Sequence, residues 1–160
     1  MSAASFVEKF GDIYEHSSWV AERAAPHLEQ SLTIDDVARV MADCVDNAST
    51  ERRLELIRAH PDLAGKAQVA GELTAASTTE QTSAGLDQCT QPEYEQFQSL
   101  NDRYKEKFGF PFVMAVRDSS RQQILAMFER RLQNEYDDEF EAALVEIHKI
   151  ARLRLETMEQ

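Results

Sequence analysis

Cysteine is scarce in this chain. Cys44 and Cys89 are the only two in 160 residues, far apart and with no second Cys or His at metal-ligand spacing. Neither a disulfide framework nor a zinc site is expected, and both thiols read as buried or half-buried side chains. Positive charge is also short, with 17 Lys and Arg against 29 Asp and Glu, a formal net charge of −12. That balance argues against a nucleic-acid partner, because phosphate backbones are held by basic patches that release counterions. No apolar run approaches the roughly 20 residues that cross a bilayer, so no membrane partner is expected. The opening MSAASFVEKFGD has no basic segment followed by an apolar stretch, and the closing TMEQ has no peroxisomal tripeptide or lipidation box. The cytoplasm is therefore the expected location. Internal repeats, low-complexity tracts and linkers are missing too, which points to one domain over residues 1–160.

What is present is globular: 42% apolar and 29% charged residues. A domain of this length buries roughly 70% of the surface its unfolded chain exposes, enough for a real core. Apolar residues recur at three and four positions rather than two, so the fold class is all-α, a bundle of about eight helices. Phe6, Phe10, Ile13 and Tyr14 form a first stripe, and Trp19 to Leu28 a second, interrupted at Pro26. Thr33 is the expected N-cap of a helix carrying Val37, Val40, Met41, Cys44 and Val45, and Thr50 that of a helix carrying Leu54 and Ile57. Pro92 suits the first turn of a helix with Tyr94, Phe97, Leu100, Tyr104 and Phe108, stopped by Gly109. Residues 110–116 (FPFVMAV) break the period with a proline inside an apolar run, so they read as an extended segment pinned in the interior. Ser119 or Ser120 caps a helix with Ile124, Phe128, Arg131 and Leu132, and a last helix runs from about Asp137 to Met158.

Three features invite chemistry. Arg154 lies in the apolar stripe of the last helix with Phe140, Leu144, Ile147, Ala151 and Met158, whereas Arg152 should point away. The bland account lets its stem cover apolar surface while the guanidinium reaches water. The functional account gives the inward fork an anionic or carbonyl-rich partner. His60 directly precedes Pro61, which pushes it out of the helix and onto a junction. Histidines at junctions are more often ordinary hydrogen-bonded residues than catalytic ones, although imidazole is the natural proton carrier near neutrality. His16, His27 and His148 read as bland, His148 facing away from Leu144 and Ala151. Ser77 to Glu80 (STTE) reads as a capping box at a helix start. The same turn would expose backbone amides, the Ser77 hydroxyl, the Glu80 carboxylate and the Gln81 amide to a polar heterocycle.

The order of the motifs is more specific than any one of them: HPDLAGKA, then S-x-x-E-Q-x-x-A-G-L from Ser77, then L-N-x-x-Y-x-x-K-F-G-F-P-F from Leu100, then R-R-L-x-N from Arg130 and K-I-x-x-x-R-L from Lys149. Over nearly its whole length the chain closely resembles the 2-oxo-4-hydroxy-4-carboxy-5-ureidoimidazoline (OHCU) decarboxylase family. The resemblance implies an all-α fold whose active site gathers several helices and the extended FPF segment, commonly in a homodimer. It places the catalytic histidine at His60 and a substrate-contacting proline at Pro61. It places the substrate-binding turn at Ser77, Thr78, Thr79, Glu80 and Gln81, with Glu80 the important carboxylate. Ring contacts from the backbone fall on Phe112, Val113, Met114, Ala115 and Val116, and the substrate-binding arginine on Arg154. Met114, Thr78 and Thr79 are minor departures.

The implied reaction converts OHCU to (S)-allantoin in urate breakdown. In OHCU the carboxylate sits beside a ring C=N that can take the electrons released with CO2, so the substrate supplies its own electron sink. No pyridoxal phosphate, thiamine or metal motif is present, and no cofactor or metal is expected. Two rivals are a non-catalytic helical interaction module and a hydrolase of a related ureido or hydantoin compound.

Overall fold

The computed structural model of the chain describes residues 2–28, 33–65 and 71–158, which are mostly helical and include no strand. Among them are eight α-helices: α1 (Ala3–Phe10), α2 (Trp19–Ala24), α3 (Ile34–Asp46), α4 (Thr50–Arg58), α5 (Ala75–Ser83), α6 (Gln91–Phe108), α7 (Arg121–Arg131) and α8 (Tyr136–Met158). Two 3-10 turns, Ala25–His27 and Leu86–Gln88, complete the set. The all-α class follows from the three-and-four spacing. Lys66 and Ala67, which end the HPDLAGKA motif, lie outside the described residues. The chain forms two compact units, one made of Met1–His60 and Ile147–Gln160, the other of Pro61–Glu146.

In the first unit α2 packs against α1 and α3. Thr33 caps α3 as its sequence suggests, its hydroxyl accepting the N–H of Asp36, and Val37, Met41 and Val45 are fully buried. Asp35 and Asp36 in the first turn complement the positive end of the helix dipole. The cap of α4 is Ser49 rather than Thr50, which is the first helical residue. Ile13 and Tyr14 are buried, but not as a continuation of a helix: α1 stops at Phe10 and α2 opens at Trp19. Between them His16 takes a left-handed conformation (φ 47°) and the Ser17 hydroxyl donates to the Glu15 carbonyl at 2.8 Å, closing a tight loop. Pro26 falls in the 3-10 turn that interrupts the second stripe.

In the second unit α6 begins at Gln91 and Pro92 behind a Thr90–Glu93 capping box and ends at Gly109 in the left-handed conformation (φ 75°). Ser120, with Gln123, caps α7. The STTE box does not form. Thr74, three residues earlier, caps α5 by accepting the N–H of Ser77, so Ser77 and Glu80 lie inside the helix. The segment 111–116 is irregular, and Phe110, Phe112, Val113 and Val116 are buried, as the broken period implied. Phe112 stacks on Phe128 with ring centres 4.0 Å apart and meets Tyr104 edge-on at 5.4 Å.

A polar knot pins this segment. Glu139, completely buried, accepts the Tyr104 hydroxyl at 2.5 Å, Arg131 Nε at 2.8 Å and Asn134 Nδ2 at 3.0 Å. Arg131 also donates through Nη1 to the Val113 carbonyl at 2.6 Å and lies 4.5 Å from the centre of the Phe112 ring. Removing one member of a buried ion pair leaves its partner charged in a dry interior, at a cost of about 3–5 kcal/mol. Glu139→Ala should therefore lose about that much stability in urea unfolding, and a loss under 1 kcal/mol would show that the knot is not a structural support.

Candidate active site

His60 sits two residues beyond the last helical residue of α4, where the chain turns into Pro61. Its imidazole is buried, 7% exposed, with Nδ1 2.9 Å from the Leu56 carbonyl. A carbonyl can only accept, so Nδ1 carries the proton and Nε2 of the neutral ring holds its lone pair. Burial lowers the pKa of His60 from 6.5 to about 4, against the raising influence of the Leu56 carbonyl and the Glu15 carboxylate; Arg154 and His16 add to the lowering. At neutral pH this histidine is a proton acceptor.

Arg154 is buried, 7% exposed, which excludes the account in which its guanidinium reaches water. Its Nη2 lies 3.3 Å from Glu15 Oε2, and its Nη1 donates to the carbonyls of Ile13 at 3.3 Å and Asp12 at 3.5 Å. The anionic, carbonyl-rich partner expected of an inward arginine is thus the protein's own loop between α1 and α2. Arg152 points away, paired with Asp35 at 2.6 Å and Glu156 at 2.9 Å. Glu15, only 2% exposed, was not picked out from the sequence, since nothing in the spacing of an irregular loop marks it. His148 is half-buried and meets the Tyr14 hydroxyl at 2.8 Å through Nδ1 and Asp46 at 3.0 Å through Nε2. His16 and His27 are exposed.

In the second unit Gln81 is buried and both ends of its amide are engaged. Its Oε1 accepts the Ala64 N–H at 3.0 Å and its Nε2 donates to the Asp62 carbonyl at 3.1 Å. Gln98 donates to the Ala64 carbonyl at 2.8 Å, Asn101 to that of Leu63 at 3.0 Å, and Lys105 pairs with the Asp62 carboxylate at 2.7 Å. The stretch after Pro61 is therefore clamped by side chains of α5 and α6, which suits the left-handed Ala64 (φ 50°). Ser77 is buried and Glu80 half-buried, whereas the exposed Thr78 and Thr79 turn their hydroxyls onto the Thr74 and Ala75 carbonyls. The amides of Ser77 and Thr78 are already bonded to Thr74, which removes them from the cradle expected at a helix start. Along the extended segment the Val113 carbonyl is taken by Arg131 and the Ala115 N–H by Glu146 at 3.1 Å. Among the described residues nothing accepts from the N–H groups of Val113, Met114 and Val116. Nor do these residues include a group of three His, Cys, Asp or Glu side chains placed to hold a metal.

The comparisons with known proteins agree with one another. The profile of a family described as OHCU decarboxylase matches residues 1–156. The 2-oxo-4-hydroxy-4-carboxy-5-ureidoimidazoline decarboxylase of Haloferax volcanii is 50% identical over 151 residues, covering 94% of this chain and 87% of that protein. A crystal structure of (S)-allantoin synthase superposes with a TM-score of 0.78 at 34% identity, covering 98% of this chain, which spans 50% of that one. A crystal structure of an OHCU decarboxylase in the presence of (S)-allantoin shares the fold, with a TM-score of 0.74 at 23% identity over 91% of this chain and 94% of that one.

The low pKa of His60 makes a stability prediction. As pH falls the unfolded chain takes up this proton first, so stability present above pH 6.5 is lost as pH drops toward 4. At pH 4.5 the loss attributable to this group should be about 2 kcal/mol. Urea unfolding at pH 7.0 and 4.5 should show wild type losing that much more than His60→Asn, and equal losses would mean His60 titrates alike in both states.

Proposed function

The chain belongs to the OHCU decarboxylase family, carboxy-lyases of urate degradation, and from that premise we propose that it converts OHCU to (S)-allantoin with His60 as the acid/base. The observation that carries this reading is the fixed tautomer of His60, whose Nδ1 is committed to the Leu56 carbonyl and whose Nε2 is thereby basic.

The bond from C4 of the ring to the carboxylate breaks and CO2 leaves. The released pair forms C4=C5, and the π pair of the ring C=N moves onto nitrogen, which takes one proton from solvent. The product of this step is an enol with its hydroxyl on C4. His60 Nε2 then takes the hydroxyl proton, the C4 carbonyl forms, and the same proton is delivered to one face of C5, fixing the S configuration. A histidine that is neutral at pH 7 suits a cycle that begins with proton removal.

The remaining residues form the binding frame in this reading. Glu80 orients His60 or polarises the ureido group, and Ser77 contributes its hydroxyl. Thr78 and Thr79 complete the turn. Pro61 packs against the ring, and Gln81 acts through the 62–64 backbone that it holds. The backbone of Phe112, Val113, Met114, Ala115 and Val116 meets the ring's amide groups, supported by the N–H groups that no described residue takes. Arg154 donates to a substrate oxygen. The family profile runs through both compact units, which supports treating residues 1–160 as one functional domain. A homodimer in the cytoplasm belongs to the same reading; among the described residues no helix is long and apolar enough to cross a membrane.

The test generates OHCU in situ from urate with the upstream enzymes and follows circular dichroism, because spontaneous decay gives racemic allantoin. Wild type should produce an optical signal of the S enantiomer, and folded His60→Asn should lower kcat by ~100-fold or more. Turnover near wild type by His60→Asn would remove His60 from the chemistry, whereas silence in wild type would remove the activity itself. Arg152→Lys, a change at a half-buried α8 position paired with Asp35 and Glu156, should leave kcat/KM within about twofold.

A further inference from the structure

Away from the proposed catalytic residues, a cation and a carboxylate line one groove, and the chain answers neither. Within the first unit, α2 packs against α3. An open cavity of about 650 Å3 lies there, lined by Arg23 and His27 on one side and by Arg39, Asp43, Cys44 and Asn47 of α3 on the other. Small-molecule sites run from ~300 to ~1,000 Å3. Arg23 is exposed and commits only the face of its guanidinium, which lies 4.8 Å from the centre of the Trp19 ring. A second guanidinium, that of Arg52, lies 5.2 Å from the same ring. Stacking leaves the N–H groups along the edge of the Arg23 fork available, and among the described residues no acid or carbonyl takes them. Asp43 stands one turn beyond Arg39, the spacing at which helix neighbours pair. Arg39 turns instead to Asp36, at 3.3 Å, and among the described residues no cation pairs with the Asp43 carboxylate. Asn47 donates to the Asp43 backbone carbonyl and leaves the carboxylate alone. Burial raises the pKa of the half-buried Cys44 thiol, Arg23 lowers it and Asp43 raises it, so both charges act on one point of the cavity lining.

We propose that this groove is a second small-molecule site, for a ligand with a carboxylate at one end and an N–H donor group, amino or ureido, at the other. The carboxylate takes the edge of the Arg23 fork, where parallel N–H···O bonds fix its plane. The N–H end donates to the Asp43 carboxylate. A simple anion gains Arg23 but is faced by Asp43, and a simple cation gains Asp43 but is faced by Arg23 and Arg39, so each one-ended ligand meets a repulsive partner as well as an attractive one. The net charge of −12 adds a general repulsion of anions, which makes a local pair of arginines necessary for holding one here. Trp19 lowers the cost of binding, because a guanidinium stacked on an indole has its fork held in one plane before the ligand arrives. No residue of the groove belongs to the proposed catalytic set, so its occupancy is a property separate from decarboxylation.

Trp19 is the only tryptophan, so its emission reports on the Arg23 stacked against it. The full chain is titrated at neutral pH with ω-amino acids from β-alanine to 6-aminohexanoate and with their N-carbamoyl derivatives, followed by Trp19 fluorescence and by calorimetry. Butyrate and butylamine serve as controls with one end each. At least one two-ended ligand should saturate with a Kd of about 1 mM or tighter, and should bind about tenfold or more tightly than both controls. The series that binds more tightly identifies the N–H end as amino or ureido. Arg23→Gln and Asp43→Asn, both at exposed positions, should each weaken that ligand by about tenfold or more, while Asp43→Asn should leave butyrate no weaker than in wild type. The proposal is overturned if no two-ended ligand binds, if butyrate binds as tightly as the best of them, or if either substitution leaves the affinity of that ligand unchanged. Because the readout is binding and none of the probes is OHCU, such a failure leaves the reading of His60 where it stands.

Discussion

A guanidinium cannot lose its proton in a protein, so an arginine placed indoors must be given an anion, and much of this molecule is arranged around that constraint. It is met twice. In one unit Arg154 is held by Glu15 and the carbonyls of the 12–15 loop. In the other Arg131 is held by Glu139 and grips the Val113 carbonyl. Each pair ties a long helix to a segment without regular structure. Apolar burial alone would be a poor tool here, because an irregular stretch has no periodic face to bury, whereas directional bonds to its carbonyls fix it residue by residue.

The helices were legible because their signals are local. Thr33, Pro92, Gly109 and Ser120 act on backbone groups within a turn of themselves, and the apolar stripes repeat at helical spacing regardless of what they pack against. The misreadings share a cause. Ser49 and Thr50 are adjacent and equally able to cap, and Thr74 competes with Ser77 for the same helix start; sequence alone does not choose between neighbours of equal propensity. Ile13 and Tyr14 continued an apolar stripe in sequence while belonging to a loop, since burial and helicity leave the same mark over so few residues.

The candidate site was legible only in part. His60 and Arg154 announced themselves, one by the proline that follows it and the other by its place in an apolar stripe. Their surroundings did not. Glu15 is 139 positions from the arginine it pairs with, and no spacing rule connects them. The tautomer of His60 depends on one carbonyl four residues back, a matter of geometry rather than composition. Gln81 sits at a position marked by its motif, yet its amide is spent on the backbone of Asp62 and Ala64. Motif order marked the position, and only the fold shows that this amide is engaged by the chain.

That amide clamp also bears on how the chain breathes. A loop with a left-handed alanine would ordinarily open on its own, far more often than the helices around it. Here the Ala64 N–H is held by Gln81 and its carbonyl by Gln98. The stretch after His60 can open only when α5 and α6 release it, so its amide hydrogens should exchange with solvent at the pace of those helices. A segment with no helical geometry thereby acquires the kinetic persistence of one.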